Sequence, residues 1–283
     1  MKNISIIGVG LIGGSFALNL RALYKDAFIQ GIDQNDAHIA EAIDLGLIDK
    51  KGNLESIGQS DLVVLATPVN AALKLLPNIL DRLSPKALAV DMGSTKSSLC
   101  QAVDGHPKRA QFLANHPIAG TEFSGPSAAH LSLFKNKINI ICDIEKTDPE
   151  LSKSVLDIFE AIGMKIRYMD SKAHDKHIAY VSHLSHISSF MLGKTVIEKE
   201  KNERNIFDMA GSGFQSTVRL AKSSPEMWAP IFEQNKANVI ETLEEYIQNL
   251  NHFKALMESD DFEAIRSEME NTNYIKTILK GIS

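Results

Sequence analysis

Along the first half of the chain, short apolar and β-branched runs alternate with longer stretches in which apolar residues recur at helical spacing. This alternation is typical of a parallel sheet covered by helices. The pattern predicts an α/β fold over residues 1–170. The predicted strands are Ile4–Gly8, Phe28–Asp33, Asp61–Ala66, Ala87–Asp91, Gln111–Asn115, Ile138–Cys142 and Lys165–Met169.

After Asp170 the pattern becomes helical and stays so over residues 171–283. It predicts one helix over Ala173–Lys199, interrupted only at Gly193, and a second from Pro225 to about Met257. The second helix carries apolar residues at alternating spacings of four and three, which gives a heptad-like stripe. Such a stripe packs inside a helical bundle or forms a dimer seam, and the small core of this half favours a dimer somewhat. The stripe consists of Val239, Leu243, Tyr246, Leu250, Phe253 and Met257.

The overall composition excludes several classes of protein. Thirty basic and thirty-five acidic residues give a net charge of −5, so no cationic field is available for nucleic acid. No apolar run reaches the length of about 18 residues that spans a membrane, and no signal-peptide cleavage pattern is present. Two cysteines, Cys100 and Cys142, form neither a disulfide framework nor a paired zinc motif. We therefore expect a cytoplasmic protein.

A glycine motif follows the first predicted strand directly. Gly8, Gly10 and Gly13 form a GxGxxG pattern with Leu11 and Ile12 between the last two glycines. The first glycine permits a tight turn, the second lets the backbone approach a pyrophosphate, and the third lets helix and strand pack closely. The start of the following helix, predicted from residue 15, offers free amide groups to phosphates. A glycine turn without a ligand is the alternative interpretation.

Two further positions favour a dinucleotide. Asp33 closes the second strand 20 residues after the last glycine of the motif, where a carboxylate binds the adenosine ribose hydroxyls. No basic residue follows it directly, and its charge would repel a 2′-phosphate, so NAD is favoured over NADP. Thr67, Pro68 and Val69 follow the third strand at its carboxyl end, where they either line the nicotinamide side of the cofactor or form a turn.

Candidate catalytic groups follow the fourth and fifth strands. Ser94 lies in the segment DMGSTK, and His116 begins the segment HPIAGTE. Because parallel strands present their carboxyl ends together, both side chains should face a bound nicotinamide. A histidine can accept the proton of a hydroxyl group as hydride leaves the carbon that bears it, and a serine can hold that histidine or the hydroxyl. A purely structural histidine is the alternative.

Four histidines crowd into the first predicted helix of the second half. At about 100° per residue, His174 and His183 point in opposite directions, and so do His177 and His186. One metal ion cannot collect all four, so no metal site is expected. We expect one pair, His174 with His177 or His183 with His186, to face the crevice and the other to face solvent or an interface.

A single arginine, Arg219, lies among small and apolar residues shortly before the segment PEMW. A guanidinium group in such a setting needs an anionic partner. A substrate carboxylate and a protein carboxylate both satisfy that requirement.

Five segments follow one another in this order: GVGLIGGS, DMGSTK, HPIAGTEFSG, HDxxxAxxSHLSH, and GFxxxxRLA with SSPEMW after it. Together they resemble the prephenate/arogenate dehydrogenase family of tyrosine biosynthesis. The resemblance covers nearly the whole chain. It implies an N-terminal Rossmann-type dinucleotide-binding domain over residues 1–170, followed by an all-α C-terminal dimerisation domain over residues 171–283. Those lengths leave no room for a regulatory or mutase domain, so feedback through such a domain is not expected.

The resemblance also implies an NAD-dependent oxidative decarboxylation of prephenate to 4-hydroxyphenylpyruvate by a homodimer. His116 would take the proton of the ring hydroxyl, with Ser94 orienting both groups. Arg219 would anchor a substrate carboxylate, and His186 would lie near the substrate. The positions that complete the pocket would be Ser182 and His183 on the adjoining turn and Thr121 and Glu122 at its mouth.

Three alternatives remain at this stage. Arogenate dehydrogenase has the same chemistry on an amino-bearing substrate, and other NAD-linked dehydrogenases of the β-hydroxyacid type share the layout. A non-catalytic NAD(H) sensor would use the glycine turn without His116 or Arg219. Gln215 and Ser216 stand where many family members carry a basic–acidic pair, which leaves the electrostatics of the pocket entrance open.

Overall fold

The apolar runs of the first half assemble into one sheet of eight strands in the computed structural model, which describes residues 1–121 and 123–280. Its spatial order is β3-β2-β1-β4-β5-β6-β7-β8, and every neighbouring pair is parallel except β6 and β7. The seven predicted strands are confirmed. The strands are β1 (Asn3–Ile7), β2 (Phe28–Ile32), β3 (Lys50–Lys51), β4 (Leu62–Leu65), β5 (Leu88–Asp91), β6 (Phe112–Pro117), β7 (Ile138–Cys142) and β8 (Lys165–Met169).

Two features of the sheet differ from the prediction. The short edge strand β3 was missed because its two exposed lysines carry no apolar pattern, although their backbone pairs with β2. The expected all-parallel sheet is wrong at β7, which runs antiparallel to β6. A parallel return needs a long crossover, usually a helix, and the described residues between β6 and β7 hold only one short 3-10 turn, Pro126–Ala128.

Helices cover both faces of this sheet and make up most of the rest of the chain. The α-helices are α1 (Leu11–Leu23), α2 (Asp36–Asp44), α3 (Val69–Arg82), α4 (Ser97–Ala102), α5 (Pro149–Ala161), α6 (Ser171–Ile178), α7 (Leu184–Glu200), α8 (Ser212–Thr217), α9 (Pro225–Gln234), α10 (Lys236–Glu258), α11 (Phe262–Thr272) and α12 (Ile275–Lys280). The 3-10 turns are Leu54–Gln59, Arg109–Gln111, Pro126–Ala128, Ile144–Lys146, Phe207–Met209 and Arg219–Lys222, and a π-turn spans Ala179–His183.

The first helix begins four residues earlier than predicted, at Leu11 instead of residue 15. A Cβ atom on Gly13 would lie 1.9 Å from the carbonyl oxygen of Gly8, so only glycine lets the helix start this close to β1. Glycine is a poor helix former, and here close packing outweighs that preference. The helix therefore opens directly on the glycine turn.

The prediction of a single helix over Ala173–Lys199 is wrong, because the segment is divided. The chain forms α6, then a π-turn over Ala179–His183, then α7, while Gly193 lies inside α7 without a break. Apolar spacing cannot reveal a π-turn because the turn adds a residue without interrupting the helix.

The predicted long helix from Pro225 is divided at Asn235 into α9 and α10. The buried Asn235 side chain donates to the carbonyl oxygen of Asp175 at 2.7 Å and so ties this break to α6. By packing, the chain divides into two compact units, Met1–Lys236 and a second that begins at Ala237. The domain boundary at residue 170 stays a prediction.

The sheet is buried on both faces, as expected for parallel strands between helical layers. Ile4 and Ile6 of β1 pack on one side with Phe16 of α1, while Ile7 packs on the other side with Leu80 of α3. Among the described residues, we find no helix whose length and apolar content would let it cross a membrane.

Candidate active site

The glycine turn lies between the ends of β1 and β4. Gly8 has a φ of +90°, and a Cβ atom there would lie 2.5 Å from the carbonyl oxygen of Ala66. Gly10 precedes α1 and provides no side-chain cap for its first amides. A Cβ on Gly10 would meet no atom closer than the amide nitrogen of Gly125 at 4.0 Å. Open space and free helix amides thus meet at Gly10, which fits a pyrophosphate group.

The carboxylate of Asp33 lies beside this turn, just after β2. It accepts hydrogen bonds from the backbone amides of Val9 at 3.1 Å and Asn35 at 2.9 Å. The imidazole Nδ1 of His38 lies 3.9 Å from it. The structure therefore fixes an acceptor next to the glycine turn, where a ribose of a dinucleotide fits.

The segment after β4 lies against the same turn. The amide nitrogen of Thr67 is 3.0 Å from where a Cβ on Gly8 would stand. The Thr67 hydroxyl is buried and has no hydrogen-bond partner among the described residues. Pro68 precedes α3, and Val69 packs on the ring of Trp228.

A buried ion pair ties the end of β5 to β6. The ammonium group of Lys96 pairs with Asp91 and donates to the carbonyl oxygen of Asn115 at 2.7 Å. Asp91 also accepts the amide of Asn115 at 3.0 Å. The segments DMGSTK and HPIAGT therefore meet at one edge of the sheet, as predicted. The role of Lys96 in joining them was missed, because a lysine near a strand end is normally solvated.

His116, one residue before the end of β6, is a buried histidine beside this ion pair. Its Nδ1 lies 2.8 Å from the Nε2 of His174, whose own Nδ1 lies 2.8 Å from the carboxylate of Asp175. Burial, with His174, Lys96 and His183 nearby, lowers the pKa of His116 well below its usual value. The imidazole is therefore neutral near pH 7 and can accept a proton.

Ser94 does not hold His116 as predicted. Within the described part of the chain its hydroxyl makes no hydrogen bond, and the ring of His116 is held by His174 instead. The reason lies in α6, which carries His174 into the space beside β6. Ser94 is partly exposed and its hydroxyl is available to a ligand.

The expected division of the four histidines into sequence-adjacent pairs is wrong. His174 and His183 are both buried, His177 is exposed and His186 is half-buried. The cause is the π-turn: one extra residue between His174 and His183 reduces their angular separation from roughly 180° to roughly 80°. In residues 1–121 and 123–280, no group of three or more His, Cys, Asp or Glu residues is arranged to hold a metal.

His183 lies under Trp228, with ring centroids 5.9 Å apart in an edge-to-face arrangement. Its Nδ1 is 3.2 Å from the amide nitrogen of Asn235, and its Nε2 is buried with no partner among the described residues. Burial lowers the pKa of His183 to about 4. His183 is therefore neutral near pH 7 and packs against Trp228.

His186 stacks on the other side of the site. Its ring lies 3.4 Å from that of Trp228, and its Nδ1 donates to the carbonyl oxygen of Ser182 at 2.9 Å. That donation leaves Nε2 as an acceptor. Burial lowers the pKa of His186, and the nearby charge of Arg219 also lowers it.

Arg219 is exposed and has no ion pair or hydrogen bond within the described residues, so no protein carboxylate of this part neutralises it. Thr121 is exposed and its hydroxyl accepts the amide of Phe123 at 3.2 Å. Glu122 lies outside the described residues. The structure therefore brings Arg219 near His186.

The fold and this site define a two-part oxidoreductase with a nucleotide-binding sheet. A model of the prephenate dehydrogenase nucleotide-binding domain matches residues 16–168, and a model of the prephenate dehydrogenase dimerization domain matches residues 170–271. The chain belongs to the prephenate dehydrogenase family. The predicted fold class, a Rossmann-type domain followed by a helical C-terminal domain, is confirmed.

Individual relatives agree with this assignment. Prephenate dehydrogenase of Bacillus subtilis is 30% identical, with 92% of this chain matched to 71% of that protein. Cyclohexadienyl dehydrogenase of Zymomonas mobilis is 28% identical over 99% of this chain and 96% of that protein. The structure of Aquifex aeolicus prephenate dehydrogenase with hydroxyphenyl propionate and NAD⁺ superposes with a TM-score of 0.91 at 34% identity, covering 99% and 98% of the two chains.

Proposed function

We propose that this protein catalyses the NAD-dependent oxidative decarboxylation of prephenate to 4-hydroxyphenylpyruvate in tyrosine biosynthesis. The observation that carries the proposal is a neutral, buried His116 at the same sheet edge as an open glycine turn. Relatives named prephenate dehydrogenase, which match 92% and 99% of this chain, support it.

The cofactor fits the turn between β1 and α1. The backbone amides at the start of α1 receive its phosphates, and Asp33 receives the ribose hydroxyls. Thr67, Pro68 and Val69 flank the nicotinamide. Bound NAD⁺ supplies the carbon that accepts the hydride. The residues that hold the pyrophosphate are Gly8, Gly10, Leu11, Ile12 and Gly13.

The substrate lies between the ends of the strands and α7. His116 accepts the proton of the ring hydroxyl, to which Ser94 also bonds. The planar guanidinium of Arg219 binds a substrate carboxylate through two parallel hydrogen bonds. Loss of the ring carboxylate as carbon dioxide follows because it produces an aromatic phenol. His186 offers its free Nε2 to the substrate.

The remaining assignments concern the pocket wall and the assembly. Ser182 and His183 shape the wall, while Thr121 and Glu122 shape its mouth. Residues 1–170 form the dinucleotide-binding domain, and residues 171–283 complete the pocket and pair two subunits. The enzyme acts in the cytoplasm, which fits the free thiols of its two cysteines.

Arogenate is the alternative substrate. It differs from prephenate only by an amino group in place of the side-chain keto oxygen. Synechocystis arogenate dehydrogenase superposes with a TM-score of 0.79 at 26% identity. We therefore include arogenate in the experiment below.

The deciding experiment supplies prephenate or arogenate, each with NAD⁺ or NADP⁺, and follows reduced cofactor at 340 nm. We expect turnover with prephenate and NAD⁺. Turnover with arogenate but not with prephenate would identify the protein as an arogenate dehydrogenase instead. No signal in any of the four combinations would contradict a dehydrogenase and favour a sensor that binds NAD(H) without turnover.

A further inference from the structure

A row of three side chains leads away from the proposed base: His116, His174 and Asp175. The Nδ1 of His116 is 2.8 Å from the Nε2 of His174, and the Nδ1 of His174 is 2.8 Å from a carboxylate oxygen of Asp175. His174 and Asp175 are almost fully buried, so no solvent competes for these bonds. The protonation of each ring in the row therefore depends on its neighbour.

The far end of the row is anchored as an anion. Two backbone amides, those of Lys96 and Ser97, each donate to a different oxygen of Asp175 at 2.8 Å. Burial raises the pKa of this carboxyl, but His174 and the two amides outweigh it and keep the pKa below its ordinary value. An ionised carboxylate accepts only, so the Nδ1 of His174 must carry a hydrogen.

This requirement passes from ring to ring. A neutral His174 with hydrogen on Nδ1 has a lone pair on Nε2, which can only accept. The neighbouring nitrogen, Nδ1 of His116, must then donate and carry a hydrogen. The remaining nitrogen of His116, Nε2, is left with a lone pair.

We propose that His174 and Asp175 are positioning residues that hold His116 in the tautomer whose Nε2 is unprotonated. This deepens the proposed function, on which the catalytic use of that nitrogen rests. The tautomer itself follows from the apo geometry alone. When Nε2 accepts a proton, the Nδ1 hydrogen stays directed at His174, and the buried carboxylate of Asp175 stabilises the resulting charge.

A protonated His174 would not hold His116 in this tautomer. His116 faces Lys96 and His183 besides His174, and the charge of Lys96 is matched by its partner Asp91. If His174 were protonated, both of its nitrogens would donate, and the hydrogen of His116 would move to Nε2. That state of His116 cannot accept a proton from substrate at Nε2.

The first test reads the tautomer directly. We would record ¹⁵N NMR spectra of the full-length protein with labelled histidine, saturated with NAD⁺, and assign the ring by its absence in His116→Gln. The expected result is a protonated Nδ1 and an unprotonated Nε2 on His116 near neutral pH. A protonated Nε2, or a signal averaged between the tautomers, would overturn the proposal.

The second test uses a matched pair of variants. His174→Gln places a carbonyl oxygen that can still accept from His116, whereas His174→Leu removes the acceptor. We expect kcat with prephenate to fall at least about 100-fold in the leucine variant but less than about tenfold in the glutamine variant, with KM nearly unchanged in both. Equal kcat values in the two variants would contradict the assignment.

The two tests separate the possible failures. If the wild-type protein does not oxidise prephenate, the proposed function fails while the NMR spectrum still decides the tautomer. If His174→Leu does not fold, the NMR spectrum of the wild-type protein still decides the tautomer of His116. A structural role alone would not make glutamine restore turnover.

Discussion

At the scale of single residues, the proposed chemistry depends on His116 being neutral. Burial lowers its pKa, so the ring has a lone pair for a substrate proton at neutral pH. The glycine turn that fits NAD⁺ lies on β1 and α1, and its backbone amides do not involve this ring. Proton acceptance and cofactor binding can therefore be separated by mutation.

His116→Asn removes the base but keeps a small polar side chain. We expect kcat with prephenate to fall by about 10²- to 10⁴-fold, the share that a positioned acid–base group supplies. The Kd of NAD⁺, measured by calorimetry, should change little. A variant that keeps near-normal turnover would remove His116 from the catalytic role.

A second residue-scale prediction concerns stability against pH. The pKa of His183 is about 4 in the folded chain and 6.5 ordinarily, so between these values the unfolded chain binds a proton that the folded one does not. Stability therefore falls as pH falls through this window, with His183 contributing a loss of about 2 kcal/mol by pH 5. Urea unfolding of wild type and His183→Gln at about pH 7.5 and 5 measures the difference. Equal losses in both proteins would contradict it.

The sequence revealed some of these residues and concealed others. His116 and Gly10 stand in local motifs whose spacing carries their chemistry, so they could be predicted. Asp175 could not, because its partner Lys96 is 79 positions away and no local pattern records that contact. Contacts such as that between the Asp175 carboxylate and the Lys96 amide are formed only when the chain folds.

At the scale of elements, the strands were predictable because their apolar runs are continuous and buried. The direction of β7 and the π-turn over Ala179–His183 were not, since both depend on how the chain returns and not on residue type. The π-turn matters most for the site. It lets α6 and α7 bury His174 and His183 together, which a uniform α-helix forbids.

Inserting one alanine after Val181, which is 73% exposed within the π-turn, tests this role. The turn already holds one residue more than an α-helical turn needs, so a further residue should rotate α7 by roughly 100° relative to α6. His183 and His186 would then leave the pocket, so we expect kcat/KM for prephenate to fall at least about 100-fold.

The matched control is Val181→Ala, which keeps the chain length and should retain wild-type kcat/KM. NAD⁺ binding should survive in both variants because the glycine turn is untouched. An insertion variant with wild-type kinetics and an unchanged Tm would show that the π-turn does not position the histidines.

At the scale of the whole molecule, the helices after Asn235 leave a large apolar surface uncovered. On α10, Leu250 is 52% exposed and Phe253 43% exposed, both on the predicted heptad stripe. Two outcomes were open for that stripe, packing within one chain or pairing of two. Exposure of its C-terminal half favours pairing, because isolated chains rarely leave so many apolar residues in water.

The double variant Leu250→Glu with Phe253→Glu decides between them. Two unpaired carboxylates inside an apolar seam cost at least several kcal/mol, so we expect a monomer where wild type has twice the chain mass. Gln248→Glu with Asn251→Glu adds the same charge at exposed positions off the stripe and should stay dimeric. Light scattering after size-exclusion chromatography measures the mass of all three. A double variant that keeps the dimer mass would place the seam elsewhere, and a wild-type protein of single chain mass would contradict pairing altogether.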